Sequence, residues 1–247
     1  MSTPLQNARS LYQTGIRDGH PRQAAERYVG ERYTQHSTGV KDGQDGFIEF
    51  FETFIERNPD REIEIIRGFA EGDLVFLHAA QSLNGGESRW ITMDILQADV
   101  HGRMIEHWDV TAEWVDDVQV DGPTEPADPG RTAESKALIE RYVADVLTPG
   151  RTDRLGDYVA QELVSHEPGE TDGFEALTAS LARTRYIEAV LVVGSGDMVG
   201  MLSRVDIEGT ETAVMDLFRV ADGRVAEQWS VREPVPPAEE LVNGGKF

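Results

Sequence analysis

The chain repeats itself, and that repetition constrains its fold more than any other feature. Tyr12, Tyr28 and His36 recur as Tyr142, Tyr158 and His166, each pair 130 residues apart. Gly72-Asp73-Leu74-Val75 then answers to Gly196-Asp197-Met198-Val199, and Met93-Asp94-Ile95-Leu96 to Met215-Asp216-Leu217-Phe218. Gly102-Arg103-Met104 through Trp108 answers to Gly223-Arg224-Val225 through Trp229, and the offset shrinks along the series to 124, 122 and 121. Self-similarity held in order at nearly fixed spacing is the mark of duplicated units, and the shrinking offset gives the second copy shorter loops. At 247 residues the chain has room for two domains of ordinary size, roughly 100 to 150 residues each.

The repeat sets the expected boundaries: a first domain over 1–117, a linker over 118–133, a second domain over 134–233 and a tail over 234–247. The linker rests on Val118 to Gly130, which is rich in Pro, Gly and acidic residues and lacks apolar periodicity. The tail has the same character apart from Leu241, Val242 and Phe247, and is expected to pack locally and to carry no catalysis.

Within the first copy, Leu5, Ala8, Leu11, Tyr12 and Ile16 fall at helical spacing, as do Ala24, Ala25, Tyr28 and Val29 after the Gly19-His20-Pro21 break. Phe47, Phe50, Phe51, Phe54 and Ile55 form an apolar stripe that Asn58-Pro59 ends, with Asp45 placed to cap its start. The pattern then changes to strands over Arg61 to Arg67, Leu74 to Ser82, Arg89 to Ala98 and Arg103 to Glu113. Each copy therefore reads as helices followed by an antiparallel sheet. Helices packed on one face of a curved sheet form an α+β cone, with a cavity for a small apolar ligand between the layers.

Composition narrows the partners. With 45 acidic against 23 basic side chains the formal charge is −22, which disfavours nucleic acid and anionic membrane surfaces. There is no cysteine, so disulfides, thiolate nucleophiles and cysteine-held zinc are excluded, and a cytoplasmic home is the default expectation. Met1 to Gly19 has neither the apolar core of a signal peptide nor a membrane-spanning run.

The candidate chemistry lies in the last two strands of the first copy. Pairing Ala98 with Arg103 across the Asp99 to Gly102 turn would set Asp94 opposite His107. Asp109 then joins both on one face and Trp108 lies on the other. Two orientations compete: an outward solvated patch over a buried Trp108, or an inward patch with Trp108 packed outside. The apolar run around Asp94 favours the inward one. His36 lies near the expected mouth, and its recurrence as His166 adds it to the candidates. His78 is replaced by Leu202 in the second copy and is read as a core or interface histidine.

Taken together, Gln35-His36 before a Gly-rich turn, Asp45-Gly46-Phe47-Ile48, Gly72-Asp73-Leu74-Val75, Met93-Asp94-Ile95 and Glu106-His107-Trp108-Asp109 resemble the SnoaL-like polyketide cyclase family. That family belongs to the nuclear transport factor 2-like superfamily of cone-shaped α+β barrels. The resemblance covers nearly all of Leu5 to Trp114 and, more weakly, Glu134 to Val231. Met93-Asp94-Ile95-Leu96 followed by His101-Gly102-Arg103 also resembles the ketosteroid isomerase segment that carries a protonated, hydrogen-bond-donating aspartic acid. The resemblance implies that Asp94 steadies an enolate oxygen and that the base is Asp109, as in the cyclases, or near His36, as in the isomerases, with His107 tuning it. It implies cofactor-independent aldol cyclisation, isomerisation or dehydration of a small polyketide-like or cyclic ketone.

The second copy keeps His166 and Asp216 but replaces His107 and Asp109 by Gln228 and Ser230. It is expected to be a structural partner in an intramolecular pseudo-dimer, with a homodimer also possible. Limonene epoxide hydrolases carry an Arg where Thr92 stands here, which disfavours epoxide hydrolysis. A non-catalytic ligand-binding or protein-interaction module is the alternative function. A metal site on His36, His107 and Asp109 is a further one, although the reading itself calls for no cofactor and no metal.

Overall fold

The computed structural model describes residues 2–247; Met1, the first residue of the expected domain 1–117, lies outside them. The chain divides into two compact units. One comprises residues up to Trp114 together with Pro236–Phe247, and the other comprises Val115–Val235. The expected linker therefore belongs to the second unit, and the expected tail, from Pro236 on, is part of the first.

In the first unit, helix α1 (Pro4–Ser10) opens on a capping box in which the Thr3 and Gln6 side chains each bond the other's backbone N–H. It runs on into a π-helical turn over Leu11–Arg17. Helix α2 (Pro21–Tyr28) begins on the proline at its first position, where a missing N–H costs nothing. It gives way at Val29 to strand β1 (Val29–Gln35). Helix α3 (Gly43–Arg57) buries Phe47 and Ile48 and starts two residues before Asp45. Asp42 precedes the helix and accepts the Gln35 backbone N–H at 2.7 Å, tying α3 to the end of β1.

Strands β2 (Arg61–Glu71), β3 (Leu74–Leu83), β4 (Ser88–Ala98) and β5 (Met104–Glu113) complete a five-stranded sheet in the order β1-β5-β4-β3-β2. The sheet is mixed, because β1 runs parallel to β5. The expectation of a purely antiparallel sheet missed β1, in which Gly30, Glu31 and Arg32 interrupt the apolar alternation and whose pairing slips between Val29 and Thr34. Leu11, Ile16, Val29, Phe47, Val75, Leu77, Leu96 and Met104 fill the space between helices and sheet. Each such side chain stabilises the layer by about 1.5–3 kcal/mol.

The second unit repeats the plan. Helix α4 (Thr132–Tyr142) also continues into a π-helical turn, Val143–Leu147. Strand β6 (Val159–Ser165), helix α5 (Phe174–Leu181) and strands β7 (Thr184–Ser195), β8 (Met198–Ile207), β9 (Thr210–Ala221) and β10 (Arg224–Pro234) follow. Their sheet order, β6-β10-β9-β8-β7, with β6 parallel to β10, copies the first. Among the described residues no helix is long and apolar enough to cross a membrane.

Candidate active site

The β4–β5 pairing differs from the expected register by two residues. Arg103 is held in the turn by Asp99, whose Oδ1 accepts the His101 and Arg103 backbone N–H groups. An irregularity at Gln97/Ala98 adds a further step, so that Asp94 faces Asp109 and Leu96 faces His107. A slip of one would have turned every side chain over, whereas a slip of two preserves the face. Asp94, His107 and Asp109 thus share the inner face, beneath the helices.

Asp94 is 1% exposed. It accepts hydrogen bonds from the Tyr12 hydroxyl at Oδ1 and from Thr92 Oγ1 at Oδ2, the latter at 3.1 Å. The Tyr12 donor comes from the π-helical turn. Burial, and then the Asp94 charge beside it, push the Tyr12 hydroxyl well above the usual tyrosine range, so it stays a donor. His107 Nε2 lies 3.0 Å from Asp94 Oδ1, and its Nδ1 lies 2.9 Å from Gln35 Oε1. Since Nδ1 faces a carbonyl oxygen it carries a proton. The Nε2···Oδ1 contact holds a second one, on the ring or on the carboxyl. Tyr33 stacks on the His107 ring at 6.3 Å and 13°.

Asp109 accepts Ser37 Oγ at 2.7 Å through Oδ2 and Lys246 Nζ at 3.0 Å through Oδ1. Burial is the largest single influence on its carboxyl and acts upward. The Lys246 and His107 charges, with hydrogen bonds from Ser37 and Lys246, together outweigh it and hold Asp109 below the usual carboxylate range. Asp109 is therefore an anion at neutral pH.

Residues 6–114 match the model of the SnoaL-like polyketide cyclase family. The first domain belongs to that family. No curated protein matches the chain, but solved structures do. A protein assigned as a SnoaL-like polyketide cyclase from Jannaschia sp. CCS1 is 20% identical, covering 44% of this chain and 84% of its own, at a TM-score of 0.38. One assigned as a ketosteroid isomerase from Kribbella flavida DSM 17836 is 16% identical, covering 46% and 90%, at 0.38. A nuclear transport factor 2-like protein of unknown function from Cytophaga hutchinsonii ATCC 33406 is 12% identical, covering 40% and 89%, at 0.36. The chain's own element order gives the fold as α+β in two tandem domains, each with helices and a five-stranded mixed sheet.

His36 lies elsewhere in the SnoaL-like domain. It follows Gln35 and points to the opposite sheet face, where it stacks on Trp108 at 4.9 Å and 2°. Its Nε2 meets Glu106 Oε1 at 3.0 Å and its Nδ1 meets the Gly245 carbonyl at 2.7 Å. His166 repeats this arrangement: stacked on Trp229 at 4.1 Å, with Nε2 on Glu227 at 3.0 Å and Nδ1 on the Val118 carbonyl at 3.1 Å. The recurrence that raised His36 as a candidate thus marks a packing ladder common to both domains. His78 likewise sits on the far face, 3.0 Å from Arg67 Nη1.

The trio His36, His107 and Asp109 is accordingly not assembled as a metal site. Asp94, His107 and Asp109 do bring ligand atoms within 4.8 Å of one another. Those atoms, however, are engaged by Tyr12, Thr92, Gln35, Ser37 and Lys246, and the cation facing Asp109 is the lysine. Sequence reading missed Tyr12, Gln35, Ser37 and Lys246 as site residues. The Tyr12/Tyr142 repeat was the available signal for the first, and Gln35 lay inside a quoted motif.

In the second domain Asp216 accepts Gln228 Nε2 at 3.1 Å, the Ser230 hydroxyl, and the Tyr186 hydroxyl at 3.2 Å. Burial raises its carboxyl, and those hydrogen bonds and Arg232 offset the rise only in part.

Proposed function

We propose that the SnoaL-like domain is an enzyme of cofactor-independent enolate chemistry, acting on a small polyketide-like or cyclic ketone by aldol cyclisation, isomerisation or dehydration. The observation that carries this reading is Asp109, held below the usual carboxylate range, beside a His107–Asp94 pair with Nε2 3.0 Å from Oδ1, all on the inner face of one sheet. Abstraction of a proton α to a carbonyl needs such a base and such a donor. Asp109 takes the α-proton, the C–H electron pair becomes the enolate double bond, and the carbonyl oxygen receives the proton held between His107 and Asp94. In a cyclisation the enol carbon attacks a second carbonyl, the enol oxygen hands its proton back to His107 and Asp94 as its C=O re-forms, and the proton on Asp109 goes to the new alkoxide. Asp94, surrounded by donors, serves to orient His107 and to share its proton, rather than donating directly to the substrate.

The second domain has neither a His107 nor an Asp109 counterpart and takes no part in this proton transfer. Solvent-deuterium exchange into small cyclic and polyketide-like ketones tests the reading with wild-type, Asp109→Asn and Gln228→Ala proteins. Exchange lost in Asp109→Asn alone is the expected result. A ketone that binds measurably and yet never exchanges would point instead to a ligand-binding module.

A further inference from the structure

The segment following β10 crosses the edge of the first domain's site. Asn243 Nδ2 donates to the Ser37 and Val40 carbonyls at 2.7 and 2.8 Å, and the Gly245 carbonyl accepts from His36. Lys246 then turns inward. Its ammonium donates to both Oδ1 and the backbone carbonyl of Asp109 at 3.0 Å, and its side chain is only 1% exposed. An ammonium is stable at that depth only when paired, so the contact is specific. With the segment in place the acid-base cluster is covered.

We propose that residues 243–247 are a strap that closes the SnoaL-like site, and that Lys246 is a positioning residue which holds the Asp109 carboxylate until the strap lifts for substrate. The second domain shows why this is more than tail packing. There Val118, from the segment after β5, supplies the carbonyl for His166. The next residue, Gln119, turns its side chain back onto the Val115 and Asp116 backbone N–H groups. A strap is present in both domains, but the lysine comes to the domain with an aspartate at the Asp109 position, where the second domain has Ser230.

The consequence for Asp109 follows from what surrounds it. Lys246 on the strap and His107 on β5 favour its anion; Asp94 on β4, the hydroxyls of Tyr33 on β1 and Tyr12 on the π-helical turn, and burial itself do not. Lifting Lys246 removes the larger favourable charge, and a ligand seated in the strap's place keeps water from the carboxylate, so Asp109 becomes a stronger base once the ligand is bound. The role as a base rests on the enolate reading; the strap and its effect on Asp109 do not.

The test therefore uses no turnover. Carbon-13 carboxyl NMR on aspartate-labelled full chain, with the Asp109 resonance assigned by its loss in Asp109→Asn, follows its titration in wild type, Lys246→Met and Asn243→Ala. Hydrogen exchange on the amides of residues 243–247 is measured in parallel. Asp109 should titrate below the usual range in wild type and at clearly higher pH in Lys246→Met. Asn243→Ala, which loses the two bonds to Ser37 and Val40 and a third from the Gly245 N–H to Asn243 Oδ1, should raise strap exchange about tenfold or more. An unchanged Asp109 titration in Lys246→Met, or wild-type strap amides that exchange as fast as unstructured peptide, would overturn the proposal. Loss of deuterium exchange into ketones is a separate result and bears only on the enolate reading.

Discussion

The two domains share a sheet order, a π-helical turn and a His–Trp–acid ladder, yet differ at the cluster on the inner face. Asp94, His107, Asp109, Ser37 and Lys246 occupy it in the first domain; Asp216, Gln228, Ser230, Glu167 and Arg232 occupy it in the second. Glu167 and Arg232 pair with each other at 2.6 Å. In the first domain the strap brings the cation to a carboxylate, whereas in the second the cation and its partner lie on the domain's own elements, and no imidazole remains. What both domains keep supports the fold. What only one keeps is the candidate chemistry.

The sharpest way to break this contrast is to convert one cluster toward the other. His107→Gln copies Gln228, and if the pair with Asp94 supplies the proton, ketone deuterium exchange should fall by about 10²-fold or more. Ser230→Ala should leave exchange unchanged, and a comparable loss there would end the division of labour. Next in size, Tyr12→Phe strips a donor from the buried Asp94 and should cost about 1–3 kcal/mol in urea unfolding. Tyr186→Phe should have the same kind of effect on Asp216.

His36→Ala and His166→Ala remove the same ladder and should each cost about 1–2 kcal/mol, from a lost ring stack and hydrogen bonds. Similar losses, with exchange retained in both, fit scaffolding. Exchange abolished by His36→Ala in a folded protein would restore His36 as a base. The smallest effect is one of sign. Asp109, depressed in the folded state, contributes stability that is present above the unfolded carboxylate pKa and lost as pH falls through the folded one. Asp216, raised, does the opposite: its penalty grows as pH rises from the unfolded pKa to the folded one. Stability curves against pH for Asp109→Asn and Asp216→Asn should therefore lose slopes of opposite sign, and slopes of the same sign would remove the electrostatic distinction between the domains.

Much of this was legible in the chain. The offsets between the copies marked the duplication, and alternation along β4 and β5 placed Asp94, His107 and Asp109 together even though the pairing was wrong. That success came from parity, which survives a two-residue slip. Strand β1 was hidden because a parallel edge strand can tolerate Gly and charge in its middle. The role of the tail was hidden more deeply. Lys246 follows Asn243-Gly244-Gly245, a run with no periodicity, and nothing local to a lysine in such a run says that it is buried. Its partner Asp109, like the Ser37 and Val40 carbonyls that receive Asn243, comes to it through tertiary placement.

The segment between the sheets reads as a spacer and is in fact structural. Gly122 lies so close to the second domain's ladder, at φ +90°, that an added Cβ would sit 2.7 Å from Trp229 Cζ2. The Trp229 indole N–H also donates to the Asp121 carbonyl at 3.0 Å. Anyone dividing this protein for separate expression at the apparent linker would therefore uncap the second domain and, by discarding the last dozen residues, unlatch the first. A faithful first half would have to be rejoined to residues 236–247, and a faithful second half would have to begin at Val115.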